Sequence, residues 1–166
     1  MTLFLKNLLF MLLVPGTAAI YVPLLIIGKR PPAEGLPRIC AVVFFAVGSI
    51  VVTWCVWDFA RHGHGTPAPV DAPTHLVVRG LYRFTRNPMY LGVLTTIAGW
   101  IMLYPCASCI IYGLVLAVGF HLFIVLYEEP HLARRFGGDY AEYRARVGRW
   151  FPRRTTHSTD GDGHRR

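Results

Sequence analysis

Two short polar segments carry most of the side chains that can do chemistry. The first runs His75-Leu76-Val77-Val78-Arg79-Gly80-Leu81-Tyr82-Arg83-Phe84-Thr85-Arg86-Asn87-Pro88-Met89-Tyr90. Asn87 suits a helix N-cap and Pro88 the first helical position, where a missing N–H costs nothing. The amides of Met89 and Tyr90 then point out of the helix start. With the positive end of the dipole and Arg86 beside them, they offer a site for a carboxylate or phosphate. A capped membrane helix with a lipid-facing arginine fits the same residues. The second segment is Tyr127-Glu128-Glu129-Pro130-His131-Leu132, continuing to Phe136-Gly137-Gly138-Asp139-Tyr140. Two adjacent carboxylates at the negative end of a helix call for a cation; pairing with Arg134 or Arg135 is the plainer alternative. Glu128-x-x-His131 has the spacing of a di-iron carboxylate motif, but a single copy does not make that site. His62-Gly63-His64 has no carboxylate or cysteine with it and reads as loop, so no metal is assigned.

The elements that must position these segments are apolar. The chain has 166 residues, 54% of them hydrophobic and only 16% charged. Its mean hydropathy is +0.42. Soluble domains carry about 25% charged residues, so a bilayer is the expected solvent for much of this chain. Net charge is +8; with so apolar a chain the basic residues are assigned to anionic lipid and topology rather than to nucleic acid. The run Leu8 to Ile27 spans 20 residues without charge and Ile39 to Trp57 spans 19, lengths that cross about 30 Å of hydrocarbon. The first run imitates a signal peptide at Gly16-Thr17-Ala18-Ala19 but continues apolar past it, so a retained helix kinked near Pro15 and Pro23 is expected. From Pro88 to Tyr127 there are 40 residues whose only basic or acidic side chain is His121. Pro105 divides them into a helical hairpin, Pro88–Tyr104 and Cys106–Tyr127, with Gly92, Gly99, Gly113 and Gly119 allowing close helix approach.

The expected fold is therefore all-α: a polytopic integral membrane protein with about four transmembrane helices, a cytoplasmic cofactor site and an amphipathic C-terminal helix. Three of the 17 basic residues, Lys29, Arg30 and Arg38, lie between the first two spans. The other 14 share the opposite side, which puts both termini in the cytoplasm. Residues 1–60 hold two N-terminal spans, 61–154 the catalytic region, and 155–166 a frayed tail. Leu132, Phe136, Tyr140, Tyr143 and Val147 recur at helical spacing as one face. Gly137-Gly138 is expected to break this helix, and Asp139 with Glu142 to restart it as a capping box. Its role is to lie on the headgroups or to cover the site as a lid. Cys40 and Cys55 read as packing filler. Cys106-x-x-Cys109 has the spacing of a redox pair, yet no charge or base stands near it in sequence, so it too reads as filler.

Because the hairpin returns its end to the face where it began, the anion-seeking amides and the cation-seeking carboxylates come together. A ligand with a carboxylate, an ammonium and a second positive centre suits both, and S-adenosyl-L-methionine is such a molecule.

At these segments the chain resembles the isoprenylcysteine carboxyl methyltransferase family, within the wider group of membrane phospholipid-methyltransferase-like enzymes. The matching pieces are G-L-Y-R-F-T-R-N-P-M-Y-L-G, Gly80 to Gly92, and E-E-P-H-L-A-R-R-F-G-G-D-Y-A-E-Y, Glu128 to Tyr143. The resemblance covers roughly residues 67–152. It implies an S-adenosyl-L-methionine-dependent membrane methyltransferase acting on a membrane lipid or on a lipophilic small-molecule or prenylated substrate. It also implies a cofactor site lined by Thr74, His75, Leu76, Val77, Tyr82, Asn87, Pro88, Met89, Tyr90 and Glu128. Where the eukaryotic enzymes carry a substrate-contacting arginine, four residues before the glutamate, this chain has Ile124.

The catalytic candidates are Glu128, Glu129, Arg86 and Tyr90. A carboxylate acceptor needs little acid–base help, since methyl transfer is then alignment and desolvation. An amine or thiol must lose a proton, for which His75, His131 and Glu129 are candidate bases. Glu128 is expected to matter more than Glu129, because the residue before Pro130 is biased towards extended backbone and swings away from the helix. Two other readings remain open: a membrane NADPH-dependent reductase resembling the steroid-reductase C-terminal domain, and a non-enzymatic membrane scaffold.

Overall fold

A computed structural model describes residues 13–59, 61 and 76–153. Among the described residues every element is helical. Helix α1 is Thr17–Ile27, α2 is Leu36–Asp58, α3 is Pro88–Leu103 and α4 is Ala107–Phe123. Helix α4 runs through a π turn, Ile124–Glu128, straight into α5, Glu129–Arg146. The hairpin drawn from sequence is present, its halves ending at Leu103 and starting at Ala107. Its second half does not stop at Tyr127. Two helical stretches, Leu36–Asp58 and Ala107–Arg146, are long and apolar enough to cross a membrane; α1 and α3 are shorter apolar helices. The first residues of the Leu8–Ile27 run, His62-Gly63-His64 and the 155–166 tail lie outside the described residues.

Two prolines set the helical register at the two π turns. Ahead of Pro23 the N–H of Val22 reaches back five residues to Thr17 O. Ahead of Pro130 the N–H of Glu129 reaches Ile124 O in the same way. A proline inside a helix removes one hydrogen bond and presses its ring on the preceding turn, and a π turn opens room for it. The distortion expected near Pro15 and Pro23 thus takes the form of a π turn. Pro23 brings no N–H to the carbonyls before it, and in lipid such groups need other donors. The Tyr112 hydroxyl donates to Ala18 O and the Trp100 indole to Ala19 O, each at 2.7 Å. These two bonds fasten α1 to α3 and α4.

Helix α3 packs chiefly against α2 rather than against its hairpin partner. The contact is made by small residues. Ala41, Gly48 and Cys55, seven apart, are buried on α2, facing Gly92, Thr96 and Gly99 on α3. A Cβ on Gly48 would collide with Thr96 Oγ1 and lie 2.7 Å from Gly92 O. One on Gly92 would lie 2.9 Å from Val51 and Val52, and one on Gly99 would lie 2.9 Å from Phe45. The glycines allow close approach at three of the four expected positions: Gly113 faces Ile97 and Ile101 of its hairpin partner α3, as expected, while Gly92 and Gly99 serve α2 instead. Gly119 has open space around it; a position facing nothing gains nothing from being small.

From this scaffold the chain enters the site through a 3₁₀ turn, Gly80–Arg83. Gly80 has φ +54°, and a side chain there would run into the Asp58 carboxylate and the Trp54 indole. Only glycine satisfies both the left-handed backbone and the close approach. Val77 and Tyr82 bury themselves against Cys55 and Met89, fixing this segment to the ends of α2 and α3.

Small-residue contacts of this kind tolerate no added volume. Gly48→Val should lower the thermal midpoint in detergent by several degrees, a loss of about 1–3 kcal/mol. Gly119→Val, in open space, should leave the midpoint within a degree or two when followed by tryptophan fluorescence.

Candidate functional site

The two polar segments meet, and the meeting point is Glu129. Its carboxylate takes two bonds from Arg149, Nε to Oε1 at 2.7 Å and Nη2 to Oε2 at 2.9 Å. Arg86 Nη1 approaches the same Oε1 at 3.0 Å. The side chains of Glu129 and Arg86 are each only 9% exposed and that of Arg149 is partly exposed, so one largely buried carboxylate serves two guanidinium groups. The Glu129 bond holds the Arg149 guanidinium above the ordinary arginine range. Arg86 reaches further, donating to the Tyr140 hydroxyl at 3.2 Å.

Backbone bonds close the same seam. Arg86 N donates to Gly148 O at 3.0 Å, and Thr85 Oγ1 donates to Arg149 O at 2.9 Å. Asn87 Nδ2 donates to that carbonyl too, at 3.1 Å, and the Tyr143 hydroxyl donates to Tyr82 O at 2.8 Å. Residues 82–87 are thereby stitched to 143–149. Burial keeps the Tyr82 phenol well above its ordinary titration range, so it remains neutral.

Three local expectations are corrected here. Asn87 stands at the N-cap position, but its side chain makes no cap bond; the Arg149 carbonyl takes its amide instead. Glu129 does not swing out ahead of Pro130. It is helical, with φ −61° and ψ −44°, because the π turn relieves the steric pressure that biases pre-proline residues towards extended backbone. Its carboxylate turns inward to the arginines. The third concerns the helix end: α4 continues into α5, so no free C-terminal dipole lies at Glu128 and Glu129, and the arginines, not solvent, compensate Glu129. Arg134 and Arg135 are exposed further along the helix.

Glu128 has a different neighbour. Its Oε2 accepts a hydrogen bond from the Tyr90 hydroxyl at 2.7 Å, and the Tyr90 ring packs at 4.8 Å on Phe120. The adjacent carboxylates are thus placed oppositely, one held by two cations and the other by a neutral hydroxyl. Next to the triad lies a cavity of about 520 Å³, lined by Arg86, Tyr140, Arg144, Arg149 and Arg153 among others. Four arginines line it, two of them already paired with Glu129, so its wall is cationic. Glu128 and Tyr90 do not line it.

The remaining predicted site residues are placed as follows. Pro88 and Met89 are buried at the start of α3. Val77 lies in the cluster with Tyr82 and Met89. Leu76 packs on Tyr140, Tyr143 and Val147 together with Leu132 and Phe136. All five residues of the predicted amphipathic face of α5 are therefore turned inward onto the site segment. The break in that helix is the single left-handed residue Gly137, φ +50°. His131 stacks on Tyr127. Thr74 and His75 lie outside the described residues. Among the described residues no group of three or more histidine, cysteine or acidic side chains is arranged to hold a metal.

Sequence reasoning missed Arg149, Thr85 and the hydroxyls of Tyr140 and Tyr143. Arg149 lies beyond the predicted helix in a run of basic residues, with nothing local to mark it out. The tyrosines had been counted as apolar positions, although a tyrosine buried on such a face carries a hydroxyl that needs a partner.

Removing one member of a buried triad leaves uncompensated charge. Glu129→Gln should cost about 3 kcal/mol and lower the thermal midpoint in detergent by several degrees. Glu128→Gln, which keeps an acceptor for Tyr90, should shift it by no more than about 1 kcal/mol. Equal losses for the two variants would show that the triad does not hold the seam.

No curated protein and no solved structure matches this chain. The phospholipid methyltransferase family profile matches residues 36–139, from the start of α2 to the middle of α5. That stretch contains the packed α2–α3 pair, the Tyr90–Glu128 contact and the Arg86–Glu129 pair, and it is well over half of the chain. The chain belongs to the phospholipid methyltransferase family, the group of isoprenylcysteine carboxyl methyltransferase-like membrane methyltransferases.

Proposed function

We propose that this protein transfers a methyl group from S-adenosyl-L-methionine to a lipophilic acceptor at the membrane surface. The observation that carries this reading is the unequal treatment of the two glutamates. Glu129 is neutralised by Arg86 and Arg149, whereas Glu128 is held only by the Tyr90 hydroxyl; burial, with Glu129 alongside, raises its carboxyl above the ordinary range, a cost that a bound cation would offset. Beside them the arginine-lined cavity suits a carboxylate. Glu128 suits the ammonium of the donor's amino-acid end and the arginine-lined cavity suits the carboxylate on the same carbon, so the two features would serve one end of the ligand. The match is one of donor chemistry, and it agrees with the family.

When bound, the donor supplies a methyl group already activated by its sulfonium. The protein's own work is then to orient and to exclude water. Tyr90 fixes the Glu128 carboxylate, and Phe120 fixes the Tyr90 ring. The apolar face of α5 closes over Leu76 and shields the site segment. Asn87 acts as a positioning residue through the Arg149 carbonyl. Glu129, committed to two guanidinium groups, is poorly suited to take a proton from an acceptor, which leaves His131 and His75 as candidate bases for an amine or thiol. Ile124 is 1% exposed, so the position where relatives use an arginine is here part of the core. That favours an acceptor recognised by its apolar tail over one recognised by a prenylcysteine carboxylate.

The four arginines also favour a second ligand class, since NADPH carries phosphates. The binding experiment therefore has two arms. Labelled S-adenosyl-L-methionine should bind the protein in detergent and NADPH should not compete. Glu128→Gln should raise the donor's dissociation constant ten- to a hundredfold, the loss of a charge-assisted bond of about 1.5–3 kcal/mol. Competition by NADPH, or an unchanged constant in Glu128→Gln, would overturn the reading.

The four-span arrangement with both termini cytoplasmic belongs to the same proposal, supported by the 14-to-3 division of basic residues. A C-terminal reporter should be active only when it functions in the cytoplasm. Activity of a reporter that works only outside would reverse the orientation.

A further inference from the structure

At the other end of α3 the structure assigns a second reactive centre. We propose that Cys106 and Cys109 form a thiol–disulfide exchange site, with Cys106 the attacking sulfur and Cys109 the resolving one. Helix α3 has 16 residues, about 24 Å of rise, so this centre shares no ligand with the methyl-transfer site and does not depend on that reading.

The sequence Cys106-Ala107-Ser108-Cys109 opens α4, with Cys106 as the residue preceding the helix and Cys109 in the first turn. Cys109 N and Ile110 N both donate to Cys106 O at 3.1 Å, which curls the turn and brings the two side chains onto one side. Their sulfurs lie 3.1 Å apart as free thiols. The two are unequally accessible: Cys109 is 4% exposed, while Cys106 is half-buried. A disulfide arriving from solution can meet only Cys106 first.

The charge that sequence reasoning found missing comes from 76 residues away. Arg30 Nη1 donates to Cys106 Sγ at 3.2 Å, and the same nitrogen is anchored on Ile26 O at the end of α1. The connection carrying Arg30 is itself tied down, since Ala33 N donates to Leu103 O at 2.7 Å. The bond shared with Cys109, together with this guanidinium, holds the Cys106 thiol below its ordinary range. Cations and helix N-termini lower thiol titration in this manner, and thiolates are the attacking species. Cys55, by contrast, is fully buried among Val77, Tyr82 and Met89 and out of reach of an incoming disulfide.

In the exchange, the Cys106 thiolate attacks one sulfur of a dialkyl disulfide, and the S–S bond breaks. The first leaving thiolate takes up the proton that Cys106 released. The Cys109 sulfur then attacks Cys106 Sγ in the mixed disulfide and expels the second thiol, which receives the Cys109 proton. Two electrons and two protons pass from the cysteine pair to the incoming disulfide, giving two thiols and a Cys106–Cys109 bond.

The test uses the reduced full-length protein in detergent with oxidised glutathione as probe, followed by peptide mass spectrometry. Wild type should acquire the Cys106–Cys109 bond and release two glutathione molecules per chain. Cys109→Ser should trap a glutathione adduct on Cys106. Cys106→Ser should form an adduct on Cys109 at least tenfold more slowly, and Arg30→Gln should slow capture at neutral pH about three- to tenfold. Thermal midpoints of all variants report whether the fold is retained. Adducts forming on Cys106 and Cys109 at equal rates, trapping on Cys40 instead, or no oxidation of a folded wild type would overturn the proposal.

Discussion

The carboxylate of Glu129 is the point on which the site half of the molecule is assembled. It stands at the junction of a membrane-length helix and an amphipathic one, and it collects an arginine from each of two segments distant in sequence. Arg86 brings the chain leading into α3, and Arg149 brings the chain leaving α5. Without a shared anion those two guanidinium groups would repel each other in a poorly solvated pocket. With it, the Arg86 amide and the Thr85, Asn87 and Tyr143 side chains donate to main-chain carbonyls as a continuous seam. Hydrogen bonds offset much of the cost of burying Glu129 and Arg86, while Arg149 keeps contact with solvent and Arg86 Nε is left without a partner.

The membrane half obeys a different constraint. Side chains in lipid gain little from being apolar, so helices hold together by close approach and by satisfying every backbone group. The small faces of α2 and α3 supply the first. The prolines of α1 and of the α4–α5 junction create the need for the second. At Pro23 the need is met by Trp100 and Tyr112, whose polar tips reach across to the carbonyls of Ala18 and Ala19. A sequence defect in one helix thus becomes an attachment point for two others.

Much of this was legible in the sequence because it is periodic or compositional. The uncharged runs located the apolar helices, Pro105 located the hairpin turn, and the spacing of Leu132, Phe136, Tyr140, Tyr143 and Val147 drew the inward face of α5. Contacts made by single side chains over long separations left no such trace. Asn87 has the features of an N-cap, but the carbonyl of Arg149, far along the chain, competes for its amide. The pre-proline rule for Glu129 fails because the neighbouring turn changes register, and nothing in E-E-P announces a π turn. Arg30 and Cys106 illustrate the same limit. A thiol's chemistry is set by what folds against it, and local sequence showed only apolar residues there.

The uninterrupted passage from α4 into α5 turns the helix into a gauge of depth. At about 1.5 Å per residue, the stretch from Ala107 to Glu128 rises about 33 Å, close to the thickness of the hydrocarbon layer. On the proposed topology, with Ala107 at one boundary, Glu128 would stand level with the headgroups at the other, within reach of a lipid whose tail stays in the bilayer. The gauge is also angular. Deleting a single residue within α4 would draw Glu128 only about 1.5 Å deeper, but it would rotate the carboxylate about 100° around the axis, away from Tyr90. Helix length and facing direction are locked together here, and an insertion or deletion in this helix would alter both at once.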